Sequence, residues 1–289
     1  MNEPLPYVEH FVPLRDGLRM YCREYGAQHR GGVPVLCLPG LTRNCRDFEA
    51  LALDLARTHR VLTPDLRGRG RSDYDPNHLN YVPLTYAADV AQLLPALGAP
   101  RVALVGTSLG GLIALTLAIT QPALLAAVVL NDVGPVVEAA GLARIAGYVG
   151  KLPPVLTWED AAAQAKLVNG AALPDFDAAD WMRFARCAYR DDGQGRPRPD
   201  FDPKIGEAMR AVGGVPAPDL WPLFTALARV PTLVIRGATS DILSAETVAR
   251  MRALKPDLRT LEVPGRGHAP TLDEPPCRAA IRGLLESLG

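Results

Sequence analysis

The sequence predicts an α/β fold: a mostly parallel central sheet with helices on both faces, interrupted by a mainly helical insertion. Three observations carry this. Short, very apolar segments recur at residues 33–38, 60–63, 102–105 and 126–130, as expected of parallel strands buried on both faces. Between them, residues 48–57 and 84–97 place apolar side chains at helical spacing, the alternation that builds βαβ units. After Asn131 the rhythm breaks into short helical stretches divided by proline, glycine and charge, and strand character returns only at residues 232–235 and 260–263.

Taken in order, residues 19–25 read as the first clear strand, followed by the four apolar ones and their helices. A helical run at residues 109–119 follows the strand at 102–105 directly, and a last helix starts near Pro276. This divides the chain into a core of residues 1–134 and 228–289 and an insertion of residues 135–227. Within the insertion, residues 190–203 are polar and rich in glycine and proline, which predicts a mobile surface loop.

Composition narrows the function classes. The 289 residues suit one catalytic domain with a sizeable insertion. Thirty-one basic and 31 acidic residues give a net charge of zero, so no global field attracts nucleic acid or an anionic membrane. The five cysteines are odd in number and contain no CxxC pair, which argues against a disulfide framework and a zinc site. Histidines and carboxylates show no metal-ligand spacing and no G-x-G-x-x-G fingerprint occurs, so the expected chemistry needs no cofactor. The first residues lack a basic, then apolar, leader pattern, and the expectation is a cytoplasmic protein.

The chemistry centres on Gly106-Thr107-Ser108-Leu109-Gly110, which satisfies G-x-S-x-G between a strand and a helix. So tight a reversal forces the serine into a strained backbone conformation that lifts its side chain clear of the sheet. A β-carbon at either glycine would collide with the neighbouring strand or helix. With five serines and 26 glycines in 289 residues, about 0.04 chance matches are expected. Ser108 is therefore the candidate nucleophile, and it needs a base because its hydroxyl is inert at its own pKa. Of the five histidines only His268 follows the last strand, in a glycine-bearing loop able to reach over the sheet edge. Asp241, just past the strand at 232–235, is the expected acid that orients His268, with Asp132, after the strand at 126–130, as its rival. Backbone N–H groups of Leu41, in the loop after residues 33–38, and of Leu109 are the expected oxyanion donors, each contributing about 3 kcal/mol to the transition state.

Together these residues resemble the α/β-hydrolase superfamily over nearly the whole chain. Residues 64–72, Pro-Asp-Leu-Arg-Gly-Arg-Gly-Arg-Ser, are similar to the family's D-x-R-G-x-G-x-S loop, and residues 267–275 match its catalytic-histidine pattern. The order Ser108, acid, His268 is also the family's. The resemblance implies an α/β-hydrolase fold in which residues 135–227 form a lid. Two departures stand out: Pro39-Gly40 replaces the usual His-Gly of the oxyanion motif, and the stretch before Asp241 is one residue longer than G-x-x-D. Serine at the elbow separates the chain from the aspartate-dependent dehalogenases and epoxide hydrolases, and from the cysteine-dependent dienelactone hydrolases.

The leading expectation is a serine hydrolase acting on a small-molecule carboxylic ester or lactone through an acyl-enzyme. The alternatives are a carbon–carbon hydrolase of aromatic ring-cleavage products, with Arg43 binding a substrate carboxylate, and a non-catalytic ligand receptor on the same fold. The expected partner is a small-molecule acyl compound, neither nucleic acid nor membrane. Aromatic residues of the insertion, Trp158, Trp181, Trp221, Phe176, Phe184, Tyr148 and Tyr189, are expected mostly to pack the lid onto the core, with some lining an acyl pocket.

Overall fold

The structure, a computed structural model, describes residues 6–211 and 218–288. Residues 1–5, read above for a leader, and part of the expected lid at 212–217 lie outside these. The chain runs β1 (Val8–Pro13), β2 (Arg19–Tyr25), β3 (Val35–Leu38), α1 (Glu49–Leu55), β4 (Val61–Pro64), α2 (Pro83–Ala96), β5 (Val102–Thr107), α3 (Leu109–Thr120) and β6 (Leu125–Asn131). The insertion follows as α4 (Ala139–Tyr148), α5 (Trp158–Asn169), α6 (Ala178–Ala188), β7 (Tyr189–Asp191), β8 (Pro197–Pro199), α7 (Lys204–Ala211) and α8 (Trp221–Thr225). The core resumes with β9 (Thr232–Gly237), α9 (Ala245–Leu254), β10 (Arg259–Val263) and α10 (Pro275–Glu286).

Eight strands form one sheet in the order β1-β2-β4-β3-β5-β6-β9-β10. The pairs β1–β2 and β2–β4 are antiparallel and the rest are parallel. Strand β1 is absent from the sequence reading, and its burial explains why. It is an edge strand with only Val12 fully buried, so it carries none of the apolar density that marks the inner strands.

The inner strands divide their side chains between two cores with a period of two. Val102 and Leu104 of β5 face one side, with Tyr86, Val90 and Leu94 of α2 and Ile113 and Leu117 of α3. Ala103 and Val105 face the other, with Leu51 and Leu55 of α1 and Ile281 and Leu284 of α10. Because both faces are covered, both alternating sets must be apolar, which produces the continuous apolar runs of the sequence.

The insertion has a smaller core of its own, including Val155, Ala161, Leu173, Trp181 and Ala185. Capping boxes, Thr157 with Asp160 and Asp177 with Asp180, start α5 and α6. The segment expected as a mobile loop contains the hairpin β7–β8, followed by the buried Asp200. Gly193 and Gly195 make its turn at φ 86° and 82°, as their sequence suggests. What the sequence hid is its anchoring. Arg46 of the core donates to the Cys187 and Tyr189 carbonyls and to Asp200 Oδ2 (2.9, 3.2 and 2.5 Å), and Asn44 reaches the same group. Among the described residues no helix is long and apolar enough to cross a membrane.

Candidate active site

The sheet register brings the candidate groups together. Thr107 of β5 pairs with Asn131 of β6, so the residues that leave these strands, Ser108 and Asp132, emerge side by side. Both stand in the left-handed region, at φ 52° and 57°, which for non-glycine residues costs about 1–3 kcal/mol each. The Ser108 N–H donates to the Asn131 carbonyl and the Asp132 N–H to the Ile235 carbonyl (3.0 and 2.7 Å), so the sheet's own hydrogen bonding holds both strained residues.

The elbow glycines are sterically obligatory. A β-carbon at Gly106 would lie 2.4 Å from the Gly110 backbone, and one at Gly110 would lie 2.1 Å from the Leu38 carbonyl oxygen. Strand and helix approach this closely only without side chains. Ser108 occupies the N-cap of α3, yet its hydroxyl makes no capping bond. Its Oγ instead meets His268 Nε2 at 2.9 Å.

His268 Nδ1 lies 2.8 Å from Asp132 Oδ2. A carboxylate oxygen only accepts, so Nδ1 carries the hydrogen and Nε2 is left as the acceptor for the Ser108 hydroxyl. Asp132 is fully buried and its oxygens are satisfied: Oδ1 accepts from the Gly237 N–H (2.7 Å), and Oδ2 also accepts from the Ser240 hydroxyl (2.6 Å). Asn131 braces the arrangement, donating to Thr107 Oγ1 at 3.0 Å and to the Pro270 carbonyl at 2.9 Å.

Asp241, the expected acid, does not meet His268. Its carboxylate is paired with Arg144 of α4 at 2.5 and 2.9 Å, and its side chain is 37% exposed. The reason lies in the loop after β9. The position three residues after Gly237, where the G-x-x-D spacing would place an acid, holds Ser240, and its hydroxyl is turned onto Asp132. The rival Asp132 therefore takes the place on the histidine. The one-residue offset noted in the sequence was the available signal. Ser240, Asn131 and Arg144 were missed altogether, because each acts on a residue more than 20 positions away.

The loop after β3 lies against Ser108: a β-carbon on Gly40 would sit 3.8 Å from the Ser108 β-carbon. Among the described residues neither the Leu41 nor the Leu109 N–H donates to a protein acceptor, so both are free for an oxyanion. Arg43, in the same loop, forms a bidentate pair with Asp47 (2.6 and 2.5 Å) and stacks on Phe184, 4.0 Å from the ring centroid. Its Nη1 is left without a protein partner among the described residues. Gly40, Leu41, Arg43, Asp47 and Phe184 border a cavity of about 780 Å³ that Ser108 and His268 also line. Its far wall comes from the insertion, through Ile145, Tyr148, Leu173, Phe176 and Phe184. The aromatic residues thus divide: Phe176, Phe184 and Tyr148 face the cavity, whereas Trp181 and Tyr189 are buried in the insertion's core. Trp158 lies under Arg186 and Trp221 under Arg250.

Comparison with known proteins places this geometry among relatives. A family model described as the alpha/beta hydrolase family matches residues 35–280. The chain is 35% identical over 263 residues to 3-hydroxybutyrate-oligomer hydrolase of Cupriavidus necator, a match covering 86% of this chain and 88% of that one. It is 30% identical to 2-(acetamidomethylene)succinate hydrolase of Mesorhizobium japonicum, covering 90% of each. Among solved structures, an alpha/beta hydrolase of Novosphingobium aromaticivorans is 48% identical with a TM-score of 0.92, covering 98% of this chain and 99% of that one.

Proposed function

The chain belongs to the alpha/beta hydrolase family and is a hydrolase, and from that premise we propose that it cleaves a small-molecule carboxylic ester through an acyl-enzyme on Ser108. The observation that carries the reading is the continuous hydrogen-bonded chain from Ser108 Oγ through His268 to Asp132. Ser108 Oγ attacks the acyl carbon as its proton passes to His268 Nε2, and Asp132 holds the ring in the accepting tautomer and stabilises the imidazolium. Leu41 and Leu109 N–H groups receive the developing oxyanion. Collapse expels the alcohol, protonated by His268, and a water activated by the same nitrogen then releases the acid.

In this reading the 135–227 insertion is the lid, since it supplies the far wall of the cavity. Arg43 Nη1 binds a polar group of the substrate, close to the reacting carbon. The C. necator relative is named for hydrolysing 3-hydroxybutyrate oligomers, and oligomers of a hydroxy acid are joined by ester bonds. That substrate class is the one we carry to this chain first.

The test is turnover of short-chain p-nitrophenyl esters and of a 3-hydroxybutyrate dimer by wild type and Ser108→Ala. Wild type is expected to cleave both, and Ser108→Ala to lose at least about 10³-fold in kcat. A Ser108→Ala protein of undiminished activity would remove Ser108 from the mechanism.

A further inference from the structure

We propose that Arg69 is the positioning residue of the oxyanion loop. Its guanidinium holds Leu41 in place and sets a positive charge, with no carboxylate directly paired to it, beside the Leu41 carbonyl of that loop. The inference rests on the acyl-transfer reading of Ser108 and Leu41 and concerns a residue outside the cavity.

Among the described residues Arg69 is the largest fully buried side chain, with no exposed surface. Its Nε donates to the Leu41 carbonyl at 2.9 Å, and its Nη1 donates to the Arg67 carbonyl and the Tyr86 hydroxyl at 2.6 and 2.7 Å. The guanidinium carbon lies 4.7 Å from the Tyr86 ring centroid and 5.7 Å from that of Tyr81. Every one of these partners is neutral. Nearby Arg67, by contrast, is surrounded by Asp16, Asp75 and Asp89. Among the described residues Arg69 has no carboxylate within 4.0 Å, and its Nη2 is buried without a partner.

A buried charge with only neutral partners is costly to a fold, since its desolvation is not offset by an opposite charge. Packing alone would be served more cheaply by an uncharged side chain. The cost acquires a reason from what the guanidinium holds. The turn that begins at Gly40 is closed by the Arg43 N–H on the Gly40 carbonyl (3.1 Å), and Arg69 clamps the Leu41 carbonyl inside that turn. With both bonds made, the Gly40–Leu41 peptide has little freedom to rotate its N–H away from the reacting carbon. The charge itself acts in a region of low dielectric, where attraction for a nascent oxyanion is stronger than in water.

The insertion contributes to this device. Arg69 pairs with Phe201 in an isolated bridge, the Gly70 N–H donates to the Asp200 carbonyl (3.0 Å), and the Asp202 N–H donates to the Gly68 carbonyl (2.7 Å). The segment after β8 thereby closes over the arginine loop.

The experiment compares Arg69→Met and Arg69→Lys with wild type in kcat and KM for a p-nitrophenyl ester, and in the Ki of a trifluoromethyl ketone that mimics the tetrahedral adduct. Circular dichroism and urea unfolding confirm folding. For Arg69→Met, kcat is expected to fall about 10- to 100-fold with KM nearly unchanged, and the Ki to rise by the same factor. Arg69→Lys keeps the charge without the planar fork, so it is expected to recover part of the loss while remaining about fivefold below wild type. Should Arg69→Met not fold, the parallel change in kcat and Ki is read from Arg69→Lys alone. A folded variant with wild-type Ki and kcat would overturn the proposal and leave Arg69 as packing. Wild type that neither cleaves the ester nor takes up a fluorophosphonate would instead refute the acyl-transfer reading on which the proposal stands.

Discussion

At Ser108 the backbone stands at φ 52° and ψ −111°, a conformation that spends folding free energy to turn a would-be helix cap toward a histidine. Asp132 is held in the same way at φ 57°, and the two strained residues sit at the ends of neighbouring strands. Asp241 has ordinary surroundings by comparison, an exposed carboxylate on an exposed arginine. The two aspartates should therefore behave very differently. Asp132→Asn is expected to lower kcat about 10³- to 10⁴-fold by favouring the wrong tautomer of His268. Asp241→Asn should change it less than about threefold. Steady-state kinetics on one ester decide between them; the reverse ranking would restore Asp241 as the acid. Both aspartates were visible in the sequence as residues just beyond apolar strands. Choosing between them required the left-handed turn at Asp132 and the hydroxyl of Ser240, neither of which leaves a periodic trace.

At the scale of elements, the strands and helices of the core were legible because burial on two faces forces apolar density into β3, β4, β5 and β6. The edge strand β1 and the hairpin β7–β8 were not, because their stability comes from partners distant in sequence. One such long-range tie fastens α4 to the loop after β9. Arg144 hydrogen-bonds to Asp241 and holds its carboxyl below the usual carboxylate range, against the opposing effect of partial burial. A group whose folded pKa is depressed adds stability above its unfolded pKa and loses it as pH falls through the folded one. The pair's contribution should thus be present at pH 7, begin to fall as pH drops below about 4, and be lost only below the depressed folded pKa. Because both side chains are more than a third exposed, it should not exceed about 1 kcal/mol. Urea unfolding of wild type and Asp241→Asn at pH 7 and pH 3 checks this: the difference between them should shrink at the lower pH. A difference that grows on acidification would contradict the pairing.

Across the whole molecule, core and insertion share the cavity, so its shape depends on how the insertion docks. Arg46 is the main bolt, a core side chain bonded to two insertion carbonyls and to the buried Asp200. Arg46→Ala leaves Asp200 buried with weaker support, and should cost about 2 kcal/mol in urea unfolding. Because the loosened insertion forms the cavity's far wall, KM should rise more than kcat falls. A variant with unchanged KM and faster proteolysis at residues 190–203 would show that the hairpin is dispensable for the pocket. By itself the sequence determined the α/β architecture and the family, and it marked Ser108, in a strand-to-helix elbow, and His268 as the two candidates that the fold brings within hydrogen-bonding distance. Each of these is written in local periodicity, in glycines that only a tight turn requires, or in the order of motifs along the chain. The tertiary structure alone decided which carboxylate meets His268, which core side chain ties down the insertion and which one holds the Leu41 carbonyl. Those outcomes depend on strand register and on side chains far apart in the chain meeting at a few ångströms, and no window of sequence contains both partners.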